Sequence, residues 1–251
     1  MGTSVSGERK EQLAKALEQV EARVRKACEA AGRAREEVRL LAVTKTFPAS
    51  DAALLTDLGL TDLAENRDQE AGAKAAEVAR LRPEAGIRWH MVGRLQRNKA
   101  RSVVRWADEV QSVDSVRLAA ALDKAVLAEG RPKLDVLVQA SIDGDPARGG
   151  CPLPELGELA AYIARTGGLR LRGVMAVAPL GADPAPAFEK LALAAEKLRR
   201  DHPGATELSA GMSGDLEQAI AHGSTCVRVG TALLGGRGLA SIASGSPGSA
   251  R

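Results

Sequence analysis

The chain has 251 residues, 45% hydrophobic and 27% charged, a balance that excludes wholesale disorder. Thirty-five Lys and Arg against 32 Asp and Glu leave a net charge of +3, too small to imply nucleic acid or an anionic membrane as partner. Two Trp, two Phe and one Tyr are too few to build stacking platforms for single-stranded nucleic acid, so Ala, Leu and Val must make the core.

The opening MGTSVSGERKEQ is polar, and no apolar run approaches the ~18–20 residues of a membrane-spanning helix. Leu13, Leu17, Val20, Val24 and Ala27 recur at three- and four-residue steps, which predicts an amphipathic helix ended by Gly32. A β-type run at 38–45 follows, then Pro48 and a helix from near Ser50. Further strands are predicted at 62–65, 87–92, 109–113, 134–140, 169–177, 206–208 and 226–229. Amphipathic segments near 67–80, 96–105, 115–129, 154–165, 184–201 and 213–222 separate them. Eight strands alternating with helices imply parallel crossovers, and over some 200 residues they favour an α/β fold closed as a single (β/α)8 TIM-type barrel. An open doubly wound sheet is the alternative. The leading helix is read as an addition to the barrel, residues 1–236 as one domain, and the Gly/Ser-rich 237–251 as a flexible tail. The Pro-rich GADPAPA at 181–187 is expected to be an exposed loop. Three cysteines, Cys28, Cys151 and Cys226, have neither metal-ligand nor redox spacing, so a reduced, cytoplasmic protein without a metal site is expected.

Barrel sites lie at the C-terminal ends of the strands, often with a phosphate site after the seventh and eighth. Here those strands lead into SAGMSGD (209–215) and RVGT (228–231), turns of small and hydroxyl residues whose N–H groups suit an anion. The plainer reading makes Ser213 an N-cap and Gly214 a turn residue, with Asp215 already satisfying the helix. Lys45 is predicted to end the first strand on the same face, where walls of Leu41 and Val43 would strip its hydration and favour a nucleophilic amine. A strand-end lysine reaching solvent is the ordinary alternative. A lysine and a phosphate cradle on one barrel face suit pyridoxal 5′-phosphate (PLP). Arg228 in the apolar CVRVG must pair, either in a structural ion pair or with a ring nitrogen of a ligand. His90 is given a lining role, and Asn66 is placed to donate to a ring hydroxyl or pack beside it.

The motifs AVTKT (42–46), AENR (64–67), WHMVGRLQRNK (89–99), QSVDS (111–115), GMSGDLEQAIAHGST (211–225) and VRVGTALLG (227–235), in this order, closely resemble the pyridoxal phosphate homeostasis protein family. The resemblance covers residues from about 38 to 236. It implies a barrel like the N-terminal domain of alanine racemase, with PLP bound as a lysine Schiff base. By position, Lys45 is similar to the Schiff-base lysine, Ser213, Gly230 and Thr231 to phosphate ligands with Met212 nearby, and Arg228 to the arginine facing the pyridine nitrogen. Asn66 and His90 resemble pocket-lining residues. Thr44 and Ala210 stand where the family more often has serine and methionine.

The resemblance implies a protein that holds PLP and takes part in its homeostasis, without catalytic residues for robust turnover. Its expected partners are PLP and PLP-dependent apoenzymes, with no nucleic acid or membrane, and a monomer is the default. The alternative is an amino-acid racemase. That chemistry needs a second acid/base group opposite the lysine, and in alanine racemases a tyrosine from an additional domain supplies it. The single tyrosine here, Tyr162, is expected on a helix away from the site. A third reading, nucleic-acid binding through Arg94, Arg97, Lys99, Arg101 and Arg105, competes with a solvated basic helix face.

Overall fold

The computed structural model describes residues 2–145, 148–179 and 181–236. In chain order it comprises α1 (Gly2–Ala30), β1 (Arg39–Val43), α2 (Ala49–Asp57), β2 (Asp62–Glu65), α3 (Asp68–Leu81) and β3 (Arg88–Met91). There follow α4 (Ala100–Val103), β4 (Glu109–Val113), α5 (Val116–Ala128), β5 (Leu134–Ser141), β6 (Cys151–Pro152) and α6 (Leu156–Ala164). The last are β7 (Leu169–Met175), α7 (Ala185–Asp201), β8 (Glu207–Ser209), α8 (Leu216–Ala221), β9 (Cys226–Val229) and α9 (Thr231–Leu234). The strands pair in the order β4-β3-β2-β1-β9-β8-β7-β5, all parallel, and a β4–β5 pairing closes the ring. That closure excludes the open sheet: the protein is a (β/α)8 barrel of TIM type. The unexpected β6 is a two-residue strand beside the end of β5.

Barrel strands are covered on both faces, which is why β1 (RLLAV) and β5 (LDVLVQAS) are nearly unbroken apolar runs. Outward residues such as Leu63, Val110, Val136 and Val174 pack under the helices with Leu55, Val78, Leu122 and Phe188. Inward, Leu41, Val43, Ala64 and Cys226 form a separate small cluster with Val92 against it.

The sequence reads α1 as an addition to the barrel, and the structure shows where it is added, in the helical ring. The last helix, α9, is a single turn, and α1 lies across α8, α9 and α2 to fill the remaining gap. Leu13, Val20 and Val24 are buried there, each contributing roughly 1.5–3 kcal/mol. Arg9 joins Asp51 at 2.6 Å and the Leu234 carbonyl at 3.1 Å, and Arg33 donates to the Ser224 carbonyl at 2.7 Å.

Of the loop expected to be exposed at 181–187, residues 181–183 and Pro186 are exposed, Pro184 and Ala185 are half-buried, Ala185 opens α7, and Ala187 is buried. The tail expected at 237–251 lies outside the described residues. Cys28, Cys151 and Cys226 are free and buried, and among the described residues no cluster could hold a metal ion and no helix is long and apolar enough to cross a membrane.

Candidate active site at the barrel mouth

The N-terminal mouth is filled with charge. Arg39, Asp62, Arg88, Glu109, Asp135 and Glu207 stand at the first or second positions of their strands and project inward to one another. Arg39 bonds Glu207 at 2.8 Å and Glu109 at 3.2 Å, Arg88 bonds Glu109 at 2.9 Å and Asp135 at 2.5 Å, and Arg172 bonds Glu207 at 3.1 Å. A recess of about 530 Å³ opens beneath this layer, but Arg88, Arg170 and Arg172 on its wall are already held by carboxylates.

His90, expected as a lining group near a strand end, is fully buried with both ring nitrogens committed to this layer. Nε2 lies 2.7 Å from Asp62 and Nδ1 3.0 Å from Glu109. The reason is strand alternation: Arg88, His90 and Val92 share the inward face of β3 and its extension, and the register sets His90 opposite Glu109. Burial opposes charge on the imidazole, yet the hydrogen bonds to Asp62 and Glu109 outweigh it and raise the His90 pKa. The same bonds, with the arginines, overcome burial of the two carboxylates and hold Asp62 and Glu109 below their ordinary range.

At the C-terminal mouth two cations, Lys45 and Arg228, have no carboxylate partner among the described residues. β1 stops at Val43, so Lys45 lies in the turn beyond the strand and is exposed, not walled by Leu41 and Val43 as expected. Its ammonium has no ion-pair partner among the described residues. The turn closes through Phe47 N–H to the Thr44 carbonyl at 3.1 Å and places Thr46 at φ +68°. A β-branched residue in that left-handed region stores about 1–2 kcal/mol of strain beside the lysine.

The two hydroxyl-rich turns meet. Ser213 is not the cap of α8, a position held by Asp215; its Oγ accepts from Ala232 N–H at 3.2 Å across the gap to the next turn. That leaves the Ser213 hydroxyl proton free to donate. Asp215 folds back on Met212 N–H at 2.6 Å, so its carboxylate faces the turn itself. Arg23 of α1 fastens the Ser213 carbonyl from outside at 2.9 Å, with Glu217 as its ion partner. Gly230 packs 3.3 Å from the Val43 carbonyl, measured to where a Cβ would stand, so β9 delivers Thr231 next to the turn carrying Lys45. Asn66 follows β2 on the other side of that turn, and a Cβ on Gly93 would overlap its backbone carbonyl; only glycine lets the β3 loop press against it.

Between the mouths runs a hydrogen-bonded chain. Arg228, 4% exposed, donates to Ser209 Oγ at 2.7 Å and to the Ala176 carbonyl at 2.8 Å. Ser209 donates to Gln111 at 2.7 Å, and Gln111 donates to Glu109 at 2.7 Å. No carboxylate pairs with Arg228 among the described residues, which removes the structural ion pair weighed from sequence. Burial alone pushes its pKa down. Among the described residues the buried guanidinium donates only to neutral acceptors, a hydroxyl and a carbonyl.

The structure therefore brings Lys45, Asn66, Met212, Ser213, Arg228, Gly230 and Thr231 to one mouth, and His90 reaches it only through Glu109, Gln111 and Ser209. Sequence reading gave no role to Gln111 or Lys74, and it placed Ser209 in the turn and Glu65 at a strand end without their partners. Charged and amide residues at alternate positions of otherwise apolar strands, as in EVQSV, are the signal that points to such a lined interior. The basic segment is split: Arg101 and Arg105 converge on Glu129 at 3.2 and 3.1 Å, while Arg94 lies near Gly149 beside the barrel mouth.

Residues 16–238 match the family model for the alanine racemase N-terminal domain. A Mycobacterium tuberculosis pyridoxal phosphate homeostasis protein is 49% identical over 248 residues, covering 93% of this chain and 96% of its own. The crystal structure of an unknown protein from Bifidobacterium adolescentis superposes with a TM-score of 0.85 at 33% identity, covering 90% and 95% of the two chains. PipY of Synechococcus elongatus with PLP bound superposes at 0.77 and 32% identity, covering 89% of this chain and all of that one. By its barrel, by the residues gathered at its open mouth and by this similarity along nearly its whole length, the chain belongs to the pyridoxal phosphate homeostasis protein family.

Proposed function

We propose that this protein binds PLP at the C-terminal mouth of the barrel, holds it through a Schiff base to Lys45, and serves its homeostasis as a carrier rather than as an enzyme with robust turnover. One observation carries the reading: Arg228, buried, and Lys45, exposed, both without a carboxylate among the described residues, lie on the same mouth as two joined hydroxyl turns. PLP offers a counterpart to each, namely an aldehyde, a pyridine nitrogen that accepts a hydrogen bond, and a phosphate. The PLP-bound PipY relative supports the assignment.

In this reading Lys45 would be the attachment point: its side-chain nitrogen would condense with the PLP aldehyde carbon, the aldehyde oxygen leaving as water. Ser213, Gly230 and Thr231 hold the phosphate, Met212 lies beside them, and Asn66 flanks the ring. Arg228 donates to the pyridine nitrogen. A guanidinium in that place would disfavour a proton on the nitrogen, and the bound ring would then be a weak electron sink. His90 acts at second hand, fixing the Glu109–Gln111–Ser209 chain that aims Arg228. The exposure of Lys45 leaves the link open to water and suits release.

Racemisation requires an acid/base group facing Lys45 across the substrate. Tyr162, the single tyrosine, lies on α6 and packs on the outer core, away from that mouth. The test is spectroscopic. The purified protein with PLP should show a visible imine band that Lys45→Ala abolishes, and alanine should not racemise faster than in buffer with free PLP. A band that survives Lys45→Ala moves the link elsewhere, and robust racemisation overturns the carrier reading.

A further inference from the structure

On the outer side of β1 and β2, beneath α3, lies a buried ion pair that the site as described does not use. Lys74 Nζ, 9% exposed, donates to Glu65 Oε1 at 2.5 Å and to the Thr44 carbonyl at 2.7 Å. The fully buried Thr44 hydroxyl donates to the same Glu65 Oε1 at 2.6 Å. The other oxygen, Oε2, is buried and has no partner. Each element of this cluster adjoins the mouth: Thr44 precedes Lys45, and Glu65 precedes Asn66.

We infer that Lys74 and Glu65 are positioning residues, a clamp that holds the strained turn after β1 so that Lys45 is presented to the cofactor. The inference rests on the reading of Lys45 as the attachment point. A buried ion pair adds little net stability over apolar residues of equal volume, so its presence calls for another role. The geometry supplies one. The Thr44 carbonyl accepts from both Phe47 N–H, which closes the turn, and Lys74 Nζ, which ties the turn to α3. A methyl group in place of that ammonium would fill the space and release the carbonyl. The turn then has less to hold Thr46 at its positive φ, and it relaxes. The Thr44 hydroxyl is the second fastening, and serine at this position keeps it.

The test compares Lys74→Met/Glu65→Gln, Thr44→Val and Thr44→Ser with the wild type. Two readouts are amide hydrogen exchange across residues 44–48 without cofactor and the rate at which the imine band forms on adding PLP. Thermal melting reports whether each variant folds. The double variant is expected to melt close to the wild type, to exchange faster in the 44–48 segment, and to form the band roughly 10–100-fold more slowly. Thr44→Val should share the defect in part, and Thr44→Ser should behave as the wild type. A folded double variant with unchanged exchange and unchanged imine rate overturns the clamp. If the double variant does not fold, the Thr44 pair decides: equal exchange in valine and serine variants also overturns it. Absence of the band in the wild type defeats the function proposed above, whereas exchange in the 44–48 segment still decides the clamp.

Discussion

The two mouths of this barrel are made by the same eight strands, yet they obey opposite rules. At the N-terminal mouth each inward arginine described above meets a carboxylate, and His90 meets two. At the C-terminal mouth, among the described residues, Lys45 stands unpaired and Arg228 finds only a hydroxyl and a carbonyl. A barrel interior must be filled by something, and short strands with Ala and Ser inside leave room that aromatic side chains do not occupy here. The lower layer fills it with mutually satisfied charge and fixes the strands; the upper layer leaves Lys45 and Arg228 without a carboxylate among the described residues, which the proposed cofactor would meet. Stability and binding should accordingly separate by mouth.

The largest effect expected is at the lower mouth. His90→Leu leaves Asp62 and Glu109 short of a donor in the interior and should lower unfolding free energy by about 3–5 kcal/mol in urea titration. A loss under about 1 kcal/mol would mean that the layer is not structural. The same layer sets the pH response. His90 is raised above its ordinary 6.5, so its contribution is complete below that pH and fades as pH climbs through the folded value. Asp62 and Glu109 are lowered from 3.8 and 4.5, so theirs is complete above those values and fades as pH falls through the folded ones. Melting temperature should therefore peak between about pH 4.5 and 6.5, and His90→Leu should flatten the alkaline limb. An unchanged alkaline limb in that variant would remove His90 from the account.

Substitutions at the upper mouth should reverse the pattern. Arg228→Met removes a buried cation that has no carboxylate, so the melt without cofactor should shift little, while PLP retained after dialysis should fall sharply. Ser213→Ala removes one accepted hydrogen bond and should cost about 1 kcal/mol while weakening retention. Thr231→Val, at an exposed position, should stay within about 0.5 kcal/mol of the wild type and still lose PLP faster. Destabilisation of Arg228→Met as large as that of His90→Leu would erase the distinction between the mouths.

How far the sequence reached follows from what is local. Apolar runs bounded by Gly and Pro located the barrel strands to within about two residues, because both faces of each are buried and composition alone marks them. The mouth was legible for the same reason, since Ser213 and Thr231 follow strands whose ends were visible and Arg228 lies within the last of them. Partners were not. His90 meets Asp62 and Glu109 only because the register sets three strands side by side, and Lys74 meets Thr44 only because α3 folds back over β1. Lys45 was placed at a strand end because VTK continues a β-type pattern; the strand stops at Val43, and the turn through Thr46 and Phe47 leaves it exposed. The role of α1 was hidden because it depends on how short α9 is.

The central claim is that one lysine carries the cofactor. Borohydride treatment of the PLP-loaded protein, followed by peptide mass mapping, tests it most directly. The account predicts a single reduced pyridoxyl adduct, on the peptide containing Lys45. An unlabelled Lys45, or an adduct confined to another lysine, would contradict it.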